Sequence, residues 1–255
     1  MKVVILAGGF GTRLAEYTDL IPKPMVEVGG KPLLWHIMSS YAKYGYNDFI
    51  IALGYKSNYI KNYFLNYRNL PSNIQINLGS NTRYFEKKDN NLPDWSIQLV
   101  ETGLKTATGG RIKKLKKFLK DDNFLLTYGD GLCNVNIQKL VKFHINHNKL
   151  VTLTAVRPPT RFGEIQLKED KVTSFKEKPQ INTGWINGGF FVIKKEFIDY
   201  IDGYSSMLER SPMVKAVKNN QLRAYKHNGF WRCVDNIRDL NYLKDIYAKK
   251  KKIWL

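Results

Sequence analysis

An α/β fold is predicted for this chain: a doubly wound, Rossmann-like mixed sheet followed by an α+β second half. Three observations carry it. Val3 to Ala7 is a short apolar run that stops at glycine, and Phe49 to Leu53 and Phe124 to Tyr128 are apolar runs of similar strand length. Segments of helical period separate these runs through the first half. After Val156 the rhythm changes to short strands and turns.

Taken in order, Lys2 to Ala7 is predicted as a buried strand, and Lys31 to Tyr44 as a helix with Leu33, Leu34, Ile37, Met38 and Tyr41 at helical spacing, closed by Gly45. With the strand Phe49 to Leu53 these make a strand-helix-strand unit, which implies parallel pairing. Ser57 to Tyr67 is predicted helical and Ile74 to Leu78 a short strand; Asn81 to Trp95 is polar and is predicted as an exposed excursion or mobile loop. Ile97 to Glu101 is a strand, Arg111 to Lys120 an amphipathic helix, Phe124 to Tyr128 a strand, Val135 to His147 a helix and Leu150 to Val156 a strand. The second half offers strands at Gly163 to Leu167, Lys171 to Phe175, Gly189 to Ile193 and Leu222 to Tyr225, with helices at Met207 to Val217 and Ile237 to Lys249. No repeat or linker interrupts the chain, so a single domain over 1–255 is expected, divided into halves 1–156 and 157–255.

The stretch Leu6-Ala7-Gly8-Gly9-Phe10-Gly11-Thr12-Arg13-Leu14 follows the first strand. Gly8, Gly9 and Gly11 let the backbone bend and bring N–H groups close to phosphate oxygens, and Arg13 adds a planar fork of donors. Downstream, Pro22 and Pro24 flank Lys23, fixing φ on either side and biasing Ile21 and Lys23 away from helix. Three glycines alone would be an ordinary turn; with Arg13 and the stiff lysine segment they point to a phosphate. A Walker loop is excluded because no Gly-Lys-Ser/Thr ending follows. The dinucleotide fingerprint G-x-G-x-x-G fails at its third position, where Leu14 stands.

The 255 residues suffice for a substantial core. No stretch has the length of a membrane span, and the apolar start is too short for a signal peptide, which points to the cytoplasm. The two cysteines, Cys133 and Cys233, make neither a disulfide framework nor a metal-ligand spacing. A formal charge of +19 suits nucleic acid, yet the lysines are spread along the chain, and a small polyanionic substrate accounts for the rest. His144 and His147 lie one helical turn apart without the H-E-x-x-H pattern and are assigned no function.

Asp130, in Gly129-Asp130-Gly131, follows the strand ending at Tyr128, and Asp235 follows the short apolar stretch from Gly229. Ligands of open α/β sheets bind beyond the carboxyl ends of strands, so Asp130 and the glycine loop can face each other. Two carboxylates with substrate phosphates suit Mg²⁺, although an aspartate after a strand is as often a helix cap.

The loop with Pro22-Lys23-Pro24 resembles the signature of the sugar-1-phosphate nucleotidyltransferases. Thr102-Gly103, Thr108-Gly109-Gly110-Arg111, Thr127-Tyr128-Gly129-Asp130-Gly131, Arg161-Phe162-Gly163, Trp185 to Phe191 and Phe230-Trp231 are similar to the branch of that family acting on glucose 1-phosphate with CTP. That resemblance implies the nucleotide-diphospho-sugar transferase fold, with a nucleotide-binding first half and a second half that binds sugar and completes the metal site. It implies CTP and glucose 1-phosphate as substrates, Mg²⁺ as cofactor, no role for nucleic acid or membrane, and a trimeric or hexameric homo-oligomer. Arg13 and Lys23 would be catalytic. Leu6, Ala7, Gly8, Gly9, Gly11, Thr12, Arg13, Lys23, Thr106, Thr108, Arg111, Tyr128 and Asp130 would contact the nucleotide. Gly163, Glu177, Lys178, Asn187 and Gly188 would contact the sugar phosphate, Glu177 and Lys178 through the Glu177-Lys178-Pro179 motif. Asp130 and Asp235 would hold the metal.

Departures from the family pattern fall at Thr160, at Arg232-Cys233-Val234 and at Asn236, around the metal and sugar end. Three alternatives stay open at this level. A relative using UTP, dTTP or GTP, or another sugar phosphate, shares the loop; a non-catalytic relative would typically lose Lys23, Asp130 or Asp235, all present here; a nucleic-acid-binding module would need the lysines to act together.

Overall fold

The structure is a computed structural model that describes residues 1–255 apart from 15–18, 68–72, 78, 80–81, 87–91, 159–163, 169–170, 177–183 and 252. In chain order the elements are β1 (Val3–Leu6), β2 (Glu27–Val28), β3 (Lys31–Pro32), α1 (Leu33–Ala42), β4 (Asp48–Leu53), α2 (Ser57–Leu65), β5 (Asn73–Asn77), β6 (Thr82–Glu86), β7 (Ser96–Glu101) and α3 (Thr108–Leu115). There follow β8 (Asn123–Tyr128), β9 (Gly131–Cys133), α4 (Ile137–His147), β10 (Val151–Val156), β11 (Glu164–Lys168), β12 (Lys171–Lys176) and β13 (Ile186–Lys194). The chain closes with α5 (Ser211–Lys218), β14 (Leu222–His227), β15 (Trp231–Cys233) and α6 (Ile237–Ala248).

Seven strands form one sheet in the order β14-β10-β13-β8-β1-β4-β7. The pairs of β1 with β4 and β8, of β4 with β7, and of β10 with β14 are parallel, while β13 runs antiparallel to both β8 and β10. The sheet is therefore mixed, and the β8–β13 pairing joins the two halves of the chain directly.

Successive side chains of a strand point to opposite faces, so an unbroken apolar run must be covered on both. Val3 and Ile5 pack with Phe49 and Ile51 in one core, beneath Leu34, Ile37 and Tyr41 of α1, Leu140 of α4 and Leu240 of α6. Val4 and Leu6 pack with Ile50, Ala52 and Leu126 in the other, against Ile112 of α3, Ala216 of α5 and Phe197 of the 3₁₀ stretch Lys195–Tyr200. Trp254 closes the first core: it is 2% exposed and its indole N–H lies 3.3 Å from His36 Nδ1.

Three local expectations are corrected. Thr82–Glu86, inside the predicted excursion, is a strand paired antiparallel with β5, in keeping with the β-forming Tyr84 and Phe85. The helix expected from Met207 starts at Ser211, with Pro212 in its first turn, where a missing N–H costs nothing. Lys23 lies in a single 3₁₀ turn, Lys23–Met25, closed by bonds from Met25 N to Pro22 O and Val26 N to Lys23 O.

Candidate active site

Two adjoining clefts open at the carboxyl ends of β1 and β8. The first, of about 420 Å³, is lined by the glycine loop Leu6 to Thr12, by Lys23, by Leu104 to Thr108, and by Tyr128 and Asp130. The second, of about 370 Å³, is lined by Tyr128, Asp130, Asn187, Gly188, Trp231, Cys233 and Asp235. Tyr128, Asp130 and Glu209 belong to both walls.

Close packing behind the glycine loop explains its composition. A Cβ on Gly8 would fall 2.2 Å from the Arg111 guanidinium, and Gly11 holds φ +68°, where side chains are strained. Gly9 meets nothing within 4 Å and leaves the loop open on that side. Thr12 and Arg13 lie in a short 3₁₀ turn, and of Arg13 only the backbone is described.

Arg111 is 4% exposed. Its guanidinium donates to Leu53 O at 2.9 Å, to Thr102 Oγ1 at 2.5 Å, to Gly8 O at 2.8 Å and to Leu104 O at 3.4 Å. It therefore stitches the glycine loop, the end of β4 and the segment before α3 together from behind. Burial lowers its proton affinity from the usual arginine range, partly offset by the Glu101 carboxylate. Thr106 donates to Thr102 O at 2.6 Å, and Thr108 donates to Glu209 Oε2 at 2.8 Å while accepting from Leu208 N at 2.9 Å.

Lys23 stands where the clefts meet. Its ammonium is 2.7 Å from Asp130 Oδ2 and 3.0 Å from Asp235 Oδ1, and the residue is 7% exposed. Burial alone would lower its proton affinity, but the Asp130 charge, the Cys233 side chain and the two carboxylate hydrogen bonds outweigh it and leave it above the ordinary lysine range. The carboxylates come from the middle and the late part of the chain and are fixed by the long-range antiparallel pairing of β9 with β15: Cys233 lies opposite Gly131, and Val234 N donates to Asp130 O at 2.9 Å.

Along β15 and beyond, alternation puts Trp231, Cys233 and Asp235 on the cleft wall. Arg232 turns away, to Asp239 at 3.4 Å and over the Tyr242 ring at 4.3 Å. Asn236 caps α6, its side chain accepting from Asp239 N at 3.1 Å. Trp231 Nε1 donates to Gly188 O at 2.7 Å and Asn187 Oδ1 accepts from Gly189 N at 2.9 Å, which shapes the far wall.

The structure thus brings Leu6 to Thr12, Lys23, Thr106, Thr108, Arg111, Tyr128, Asp130, Asn187, Gly188 and Asp235 to one pair of clefts. Gly163, Glu177 and Lys178 lie outside the described residues. Glu209 was not foreseen. It accepts from both Thr108 and the Tyr128 hydroxyl, joining α3 to the end of β8, two residues before Asp130. Pro212 was the available signal, since a helix starting there leaves Glu209 in an irregular segment able to reach the cleft.

A glycine-loop cleft at the edge of a doubly wound sheet, joined to a second cleft by a lysine between two aspartates, defines a phosphate-handling transferase, and the chain belongs to the nucleotidyl transferase family, whose model matches residues 2–250. Members of that family generally use a divalent metal ion. Among individual proteins, the chain is 45% identical over its full length, and over 98% of the relative's, to glucose-1-phosphate cytidylyltransferase of Salmonella typhimurium. It is 28% identical over 94% of its length to mannose-1-phosphate guanyltransferase of Emericella nidulans, of which 62% is covered. Its fold matches that of HddC from Yersinia pseudotuberculosis with a TM-score of 0.71 at 24% identity, over 96% of this chain and 99% of that one.

Proposed function

We propose that the chain transfers a cytidylyl group from CTP to α-D-glucose 1-phosphate, giving CDP-glucose and pyrophosphate. The observation that carries this is the Lys23 ammonium between Asp130 and Asp235, at the junction of the two clefts, in a chain 45% identical to a glucose-1-phosphate cytidylyltransferase.

CTP lies along the glycine loop, with its triphosphate against the loop amides and Arg13, and glucose 1-phosphate lies in the cleft lined by Asn187, Gly188 and Trp231. A phosphate oxygen of the sugar attacks the α-phosphorus in line, the bond to the β-phosphate breaks, and pyrophosphate leaves on the loop side. Little covalent chemistry falls to the protein, so positioning and charge stabilisation dominate. Lys23 neutralises the α-phosphate as negative charge gathers there, and Lys178 and Glu177 align the attacking phosphate and the sugar hydroxyls on the strength of their motif.

The converging carboxylate oxygens of Asp130 and Asp235 fit a hard divalent cation, and the lysine they bind instead is a cationic stand-in. When bound there, Mg²⁺ supplies charge neutralisation to phosphate oxygens of both substrates.

The test is Mg²⁺-dependent pyrophosphate release from CTP with glucose 1-phosphate, omitting each partner in turn and replacing CTP by UTP, dTTP or GTP. Release should need both partners and be fastest with CTP. Equal or faster release with another nucleotide would overturn the base assignment.

A further inference from the structure

Cys233 lines the second cleft and has no part in the proposed reaction. It is held by strand pairing: β15 pairs with β9, so Cys233, the last residue of β15, sits opposite Gly131, one residue from Asp130, and two residues before Asp235, which lines the same cleft. One ligand atom each from Asp130, Cys233 and Asp235 lies within 4.8 Å of the other two. All three residues line the second cleft, and the Lys23 ammonium is held at the same place.

We propose that the Cys233 thiol is a third donor to the Asp130–Asp235 site and makes that site a trap for thiophilic divalent ions, zinc foremost. This rests on the assignment of the two carboxylates to a metal. Around a tetrahedral zinc ion, with bonds of about 2.3 Å to sulfur and about 2.1 Å to oxygen, neighbouring donors lie roughly 3.6 Å apart. A separation of at most 4.8 Å closes to that value by movement of about 1 Å, within the reach of side-chain torsions alone. The set of one sulfur and two carboxylates leaves a fourth position open for water or a substrate phosphate.

The chemistry separates two classes of ion. Magnesium takes oxygen ligands, keeps several waters and gains nothing from sulfur, whereas zinc and cadmium bind thiolate strongly, with release of the thiol proton to solvent. The same pocket therefore holds magnesium through two groups and zinc through three. Zinc should displace magnesium and the Lys23 ammonium together and slow turnover. Cys133 cannot serve in its place: it is 3% exposed, and it pairs with Trp231 at the far end of the β9–β15 ladder.

The test is titration of the full, chelator-stripped chain with Cd²⁺ under excess Mg²⁺, followed by the ultraviolet thiolate-to-cadmium charge-transfer band. The band should saturate near one equivalent, vanish in Cys233→Ser and require about tenfold or more Cd²⁺ in Asp130→Asn. No band in the wild type, or an equal band in Cys233→Ser, overturns the proposal. A second readout needs no variant: Cd²⁺ should protect Cys233 from iodoacetamide in peptide mass spectra, and an unchanged alkylation rate counts against it. Mg²⁺-dependent pyrophosphate release without a cadmium band would overturn the thiol's role and leave the transfer reaction standing; a band without such release would do the reverse.

Discussion

Arg111 separates two roles that one residue could play in a nucleotide cleft, that of a ligand contact and that of a brace. Replacing it by Met keeps much of its volume and removes every donor. Three of its bonds, to Leu53 O, Thr102 Oγ1 and Gly8 O, are 2.9 Å or shorter. Hydrogen bonds from a charged donor contribute about 1.5–3 kcal/mol each, so the gross loss is about 4–9 kcal/mol. Against this stands the desolvation of the guanidinium, visible in its lowered proton affinity, which the variant no longer bears. A net cost of about 3–5 kcal/mol remains, since buried acceptors are left unpaired. At about 2–4 °C per kcal/mol for a chain of this size, melting should fall by about 6–20 °C. Thermal and urea unfolding of Arg111→Met and Arg111→Lys measure it, and the lysine should rescue little because one ammonium cannot span three acceptors. If Arg111→Met melted within about 2 °C of the wild type while losing nucleotide affinity, Arg111 would be a ligand contact and the brace argument would fail.

Lys23→Ala and Asp130→Asn should each lower kcat by about 10²–10³-fold with native circular dichroism, and near-normal turnover of either would remove it from the proposed mechanism. His144 is 1% exposed, and burial, then the neighbouring His147 and Lys194, push its pKa down to about 4. The unfolded chain therefore binds more protons between about pH 6.5 and 4, so stability falls as pH drops through that window, by about 2–3 kcal/mol. His144→Gln, which removes the titration, should flatten the slope of urea-derived stability over that range; an unchanged slope would refute it. Gly110→Ala would bring a Cβ to 2.0 Å from Tyr204 O, a backbone atom, so the variant should unfold at a markedly lower urea midpoint. Trp254→Ala should cost about 3–5 kcal/mol, because its indole is buried against His36 and Phe230.

Much of the site could be read in advance because its parts are contiguous in sequence. The glycine loop sits between a strand and a turn, Lys23 is framed by two prolines, and Asp130 comes two residues after the strand run Phe124 to Tyr128. The parts that could not be read depend on partners distant in the chain. β9 and β15 have three residues each, too few for a period to show, and exist because Gly131–Cys133 meets Trp231–Cys233 a hundred residues on. β13 starts at Ile186 rather than at Gly189 because it passes through Gly188 and Gly189, which on sequence look like a turn. Gly189 holds φ +79°, and the pairing with β10 shifts register between Leu153 and Ala155 there, as at a bulge. The described departures from the family pattern also sort themselves spatially: Arg232 and Asn236 serve the outer face and a helix cap, and among the described ones Cys233 alone lines the cleft.

The direction of β13 has a consequence for how such a site can diversify. Parallel strands present their last residues at the reactive edge, and each is followed by a connection that must cross back over the sheet. A reversed strand presents its first residues there instead. Asn187 and Gly188 thus reach the edge within the incoming segment of β13 itself, where Asn187 pairs with Ala155 of β10, while Phe190 to Lys194 stay anchored in register with β8. Changes in that incoming segment can resculpt the acceptor side without moving a crossover helix or the phosphate loop. The donor side is tied into the parallel frame and lacks that freedom, so substrate drift in this architecture should accumulate first around the acceptor.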